Sequence, residues 1–126
     1  MEIRNIKFRA KRLDNGEWVE GDLVHSTSYV GISYPSDVFP DVPIVHRVDP
    51  STVCQFTGLK DCEGKEIWEG DILEGPRKEE IFFDRGVFWI RSIDDNDLFH
   101  LVNDVSWSGE MMSKVIGNKF DKKSSV

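Results

Sequence analysis

Apolar and polar residues alternate one by one along much of this chain, and that period belongs to strands with one buried face. In IKFRAKRL the apolar Ile6, Phe8 and Ala10 alternate with Lys7, Arg9 and Lys11. Asp14-Asn15-Gly16 follows, and Asn-Gly between two such runs predicts a hairpin with a type I′ turn. The partner strand runs through EWV and resumes beyond Gly21 as DLVH. YVGIS predicts a short strand. The residues after it, as far as Pro43, predict a surface loop, because interior strands exclude proline. IVHRV predicts another strand, closed by Asp49-Pro50.

Farther on, TVCQFTGL and KEIWEGDIL flank the polar turn KDCEGK. EEIFFDRGVFWIRSI predicts a hairpin around Asp84-Arg85-Gly86, with a three-residue loop and glycine in the left-handed position. Asp94-Asp95-Asn96-Asp97 predicts a solvated turn, since it lacks the glycine and the distant glutamate of a calcium loop. DLFHLVNDV fits a strand or a short helix equally well, and KVIGNKF predicts a last strand before the polar tail. Short strands punctuated by turn signals argue for a barrel or sandwich and against βαβ units. The expected fold is therefore all-β with short antiparallel strands. An N-terminal hairpin portion with a Pro-rich loop covers residues 1–52 and a second β portion covers 53–126, both within one compact unit.

Glu-Gly-Asp occurs twice, as Glu20-Gly21-Asp22 after Trp18 and as Glu69-Gly70-Asp71 after Trp68. A structural role has each glycine relieve a bend or bulge while the aspartate bonds to nearby backbone. A catalytic role takes each Glu/Asp couple as an acid–base pair, since residues i and i+2 share a strand face. No neighbouring His or Cys is placed to separate the two pKa values, which favours the structural role. Trp18 lies two residues before its glutamate and Trp68 one, so in regular strands they face opposite sides. Trp68 is expected in the core.

A chain of 126 residues with 39% apolar and 31% charged residues suits one soluble domain. MEIRNIKFRAKR has no apolar stretch after its basic residues, so a cytoplasmic location without membrane contact is expected. Cys54 and Cys62 match no zinc spacing, and His25, His46 and His100 are scattered in sequence. No metal, cofactor or catalytic residue is expected. The net charge of −7 argues against non-specific DNA binding, yet Arg4, Lys7, Arg9, Lys11 and Arg12 crowd the first twelve residues.

TVCQFTGLKDCEGKEIWEGDIL, with Gly58 in its TGLKD portion, together with IKFRAKR and KVIGNKF, resembles the YopX family of small phage and prophage proteins. Lys11 stands where that pattern usually has tryptophan, and the acidic, leucine-ended tail is missing. The resemblance implies an all-β protein of phage or prophage origin, with no established activity and no catalytic residues to carry over. It also implies that residues 55–120 close as a small SH3-like barrel.

The expected function is a non-enzymatic module that binds a protein partner or itself. A nucleic-acid-binding barrel is the alternative, with Lys7, Arg9, Lys11 and Arg12 on the phosphates and exposed aromatics among Tyr29, Tyr34, Phe39 and Trp107. A charged outer strand face explains the same basic stripe without a ligand. A carboxylate-dependent enzyme ranks third. Met111-Met112 suits a core or an interface. Self-association is expected through Val38, Phe39 and Val42 in the Pro-rich segment, which is long for a connection within a domain.

Overall fold

In the computed structural model, which describes residues 5–39, 41–75, 78–93, 98–100 and 113–121, all regular structure is strand apart from short 3-10 turns. The chain divides into two units, Met1–Phe56 and Thr57–Val126.

The first unit holds β1 (Phe8–Lys11), β2 (Trp18–His25), β3 (Val30–Pro35) and β4 (Pro43–Arg47), in the order β4-β3-β2-β1. β2 changes partner midway. Trp18 to Gly21 pair with β1, and Asp22 to His25 pair with β3. Beyond β4 the backbone bonds in two directions, with Val48 N donating to Val30 O (3.0 Å) and Asp49 N to Lys11 O (2.9 Å). These bonds seat Val48 against Ala10 and Ile32, all at most 1% exposed, with Phe8, Val19, Val30 and Val53 packed around them. A 3-10 turn, Pro50–Thr52, is capped by Asp49, whose carboxylate accepts from Ser51 N. β5 (Cys54–Lys60) begins in this unit, where Cys54 pairs with Arg9 and Gln55 with Phe8.

The second unit contains the end of β5 with β6 (Glu66–Trp68) beside it, then β7 (Asp71–Glu74), β8 (Lys78–Asp84), β9 (Val87–Ser92), β10 (Leu98–His100) and β11 (Lys114–Asn118). β7 to β10 form a meander, and β11 returns to pair with β7, giving the order β10-β9-β8-β7-β11. Its core is Ile67, Leu73, Ile81, Phe88 and Ile90, with Leu59 and Val115 against them. Trp68 is buried too, at 2% exposure.

The all-β antiparallel class is as expected. Among the described residues no barrel closes, so for the C-terminal half the match extends to an antiparallel sheet and no further. Two turns differ from expectation. β1 and β2 are joined by six residues, Arg12 to Glu17, with Arg12 N bonded to Glu17 O and Gly16 N to Arg12 O (2.9 Å each). A type I′ turn needs two left-handed residues, and Gly16 has φ +73° while Asn15 instead caps Glu17 N. β8 and β9 are joined by Arg85-Gly86 alone, both left-handed (φ +49° and +82°). The short type I′ loop belongs there, at the cost of placing an arginine at positive φ. KEIWEGDIL is also broken in two at Glu69-Gly70, separating β6 from β7. Within DLFHLVNDV the residues Leu98–His100 are strand. The Asp94–Asp97 turn, Trp107, Met111-Met112 and the residues from 122 onward lie outside the described residues.

Candidate functional site

The two Glu-Gly-Asp segments perform different tasks. Gly70 sits in the left-handed region (φ +84°) at the break between β6 and β7. Asp71, 1% exposed, accepts from Trp68 N at 2.7 Å through one oxygen and from the Asn118 amide at 3.0 Å through the other. Asn118 also donates to Glu69 O (3.0 Å), and its own oxygen accepts from Phe120 N. Gly70 N bonds Ile81 O (2.7 Å), and Lys119 N bonds Gly70 O (2.9 Å). A carboxylate so engaged holds a turn together.

Gly21, by contrast, is neither turn nor bulge. It continues β2 in register, and a Cβ there would lie 2.2 Å from Ser33 O, so glycine is required by the close approach of β3. Asp22 is exposed on the same strand, opposite Ser33.

Asp61, in the TGLKD stretch, was not singled out by sequence reasoning. One of its oxygens accepts from Glu63 N (2.8 Å) and Lys65 N (2.9 Å), the other from Val115 N (2.8 Å) on β11. Burial pushes this carboxyl up, but the three backbone donors outweigh it and leave its pKa below the ordinary value.

The basic stripe is occupied by its neighbours. The Arg9 guanidinium lies 4.5 Å and the Lys11 ammonium 5.2 Å from the Trp18 ring centroid. Lys7 lies 4.8 Å from the Phe56 ring and 3.6 Å from the Glu20 carboxylate. Arg12 grips Asp14 through two bonds of 2.6 and 2.9 Å, and that hydrogen bonding lowers the Asp14 pKa and raises that of Arg12. Of the other aromatics, Tyr29 carries Arg47 over its face at 4.8 Å, and the Tyr34 hydroxyl bonds His46 Nε2 at 2.9 Å. Sequence reasoning also missed a stack on β8 and β9, where Phe82 and Trp89 face each other (centroids 6.4 Å apart) between Arg91 and Arg85. Those positions alternate with the core residues Ile81 and Ile90, which was the available signal. On the second unit an open cavity of about 380 Å³ is lined by Ile72, Ile93 and Ile116 with Lys78, Asn118 and Asp121.

Among the described residues, the β3–β4 hairpin carries the three most exposed valine and phenylalanine side chains. Its loop is shaped by its own bonds: Ser36 Oγ accepts from Val38 N and Phe39 N (3.2 Å each), and Phe39 O accepts from Val42 N (2.8 Å). That shape leaves Val38, Phe39 and Val42 at 74%, 65% and 59% exposure, and Ile44 and Val45 on β4 are also exposed. Among the described residues no group of three or more His, Cys, Asp or Glu side chains is placed to hold a metal ion, and no helix is long and apolar enough to cross a membrane. Neither cysteine forms a disulfide; Cys54 is buried and Cys62 exposed.

The model of the family described as YopX protein matches residues 7–123, nearly the whole chain, and the chain belongs to that family. No curated protein matches it.

Proposed function

We propose that this YopX-family chain is a phage- or prophage-encoded, non-enzymatic binding or assembly module of the bacterial cytoplasm, and that the β3–β4 hairpin is its contact surface. The observation that carries this reading is the pre-shaped loop presenting Val38, Phe39 and Val42 to solvent. Concentrated apolar exposure marks interaction sites, and a loop already ordered by its own bonds loses less freedom on docking. The buried carboxylates Asp61 and Asp71 favour the same reading, because backbone and amide donors fill their oxygens and leave them little capacity for proton transfer. A protein partner, another copy of the chain included, suits the apolar hairpin better than nucleic acid, since Lys7, Arg9, Lys11 and Arg12 already engage Phe56, Glu20, Trp18 and Asp14.

Capture of partners on the native chain from phage-infected cells, with and without nuclease, tests the proposal. Recovery that resists nuclease and is lost on Phe39→Asp is expected. Recovery that vanishes with nuclease and ignores Phe39→Asp would transfer the function to the nucleic-acid reading.

A further inference from the structure

The outer face of the second unit's sheet carries an apolar hollow, built by strand alternation and by a bulge. Asp71 and Leu73 of β7 are buried, so Ile72 between them turns to the opposite face. β11 meets β7 at Val115 and again at Gly117, which leaves Ile116 as the extra residue of a bulge, 45% exposed. Ile93, 44% exposed, follows β9 and donates its N–H to Lys78 O at 2.9 Å. The three isoleucines line the cavity of about 380 Å³, a volume within the range of about 300–1,000 Å³ typical of binding pockets. Lys78 stands at its rim, and among the described residues no carboxylate pairs with that ammonium. Asp121, the acid at the rim, accepts from Asn118 N at 2.9 Å.

The first unit supplies a matching shape and the opposite charge. Its β3–β4 loop holds Val38 and Phe39 out to solvent, and the exposed Asp37 and Asp41 flank them. Neither carboxylate has an ion pair among the described residues, and residues 26–45 contain no Lys, Arg or His. We infer that this loop of one copy docks in the isoleucine cavity of a second copy, with Phe39 against Ile72 and Ile116 and the loop carboxylates beside Lys78. The inference rests on the reading of the β3–β4 hairpin as the contact surface.

A second copy is the occupant that the charges favour, because one chain carries both the acidic apolar loop and the apolar cavity with its unpaired lysine. An aromatic side chain entering a pocket is the usual form of an interface anchor, and a loop ordered by its own bonds loses little freedom there. The two surfaces are unlike, so the contact is head-to-tail. Such contacts close into a ring where the rotation permits and otherwise run on as a filament.

Light scattering on the full chain at micromolar concentration tests the docking. The native mass is expected at two or more chains of 14.5 kDa. Phe39→Asp and Ile116→Asp each change an exposed side chain, so both folds are expected to persist by circular dichroism. Each variant alone is expected as a single chain, with a dissociation constant raised at least about tenfold. An equimolar mixture of the two is expected at two chains, because the intact loop of the Ile116→Asp chain meets the intact cavity of the Phe39→Asp chain. A contact between like surfaces gives no such recovery. If either variant fails to fold, charge reversal decides: Lys78→Glu is expected to weaken assembly, and adding Asp37→Lys with Asp41→Lys to restore it. A single-chain native mass, a mixture that stays single-chain, or reversed charges that restore nothing each overturns the docking. If capture of a different protein is lost in Phe39→Asp and kept in Ile116→Asp, the hairpin stands as a contact surface and only the docking in the cavity falls.

Discussion

The Asn118 side chain bridges both ends of the Gly70 turn, donating to Glu69 O and to the Asp71 carboxylate at 3.0 Å each. One amide thereby joins two segments 47 residues apart and locks β11 to the start of β7.

Asp71→Asn is expected to destabilise by roughly 1–3 kcal/mol, although such an exchange is often mild in a turn. Both Asp71 oxygens accept, from Trp68 N and from Asn118, so an amide nitrogen would face a donor. Asn118→Ala should cost a similar amount, and the double variant less than the sum of the two. Urea melts measure all three, and strict additivity would mean that the two side chains act independently.

Three glycines are expected to rank by geometry. Gly21→Ala and Gly70→Val should be the most damaging, the first through contact with Ser33 O and the second through left-handed backbone beside Asn118. Gly58→Ala meets open space and carries only the left-handed strain, on the order of 1–2 kcal/mol. Thermal melts in which Gly58→Ala proved the worst of the three would contradict this account.

Trp68→Ala should cost about 3–5 kcal/mol, the range for emptying a large buried aromatic site. Chemical denaturation is the direct check. A loss under about 1 kcal/mol would be incompatible with its 2% exposure.

Asp61 makes the second unit sensitive to acid. Its folded pKa is depressed, so its contribution is fully present above the unfolded value of about 3.9 and is lost as pH falls through the lower folded value. Asp61→Asn should be destabilised near neutral pH, because an amide nitrogen would face either Val115 N or the pair Glu63 N and Lys65 N. It should also show a flatter loss of stability below about pH 4 than the native chain. Equal acid slopes in the two proteins would assign the titration elsewhere.

Strand content was legible because each buried face imposes a period of two, plain in Phe8 and Ala10 and again in Phe88 and Ile90. The left-handed Arg85 was not legible, since nothing in its side chain favours that backbone. Of the candidate site, the apolar loop could be read directly from Val38, Phe39 and Val42. The occupation of the basic stripe could not, because Lys7 meets Phe56 only once β5 lies beside β1. The carboxylate partners were hidden for the same reason: Asp61 bonds Val115 from 54 residues away.

That separation also bears on how the chain emerges during synthesis. β7 is complete at Glu74, but the strand that covers its other edge starts only at Lys114. At roughly 5–20 residues per second the ribosome takes about 2–8 s to cross that interval. For those seconds Ile72 and Leu73 lie on an open edge, without the donors of Asn118 and Val115 to fix the turns on either side. Nascent chains stalled before Lys114 are therefore the form of this protein most open to aggregation and to capture by chaperones.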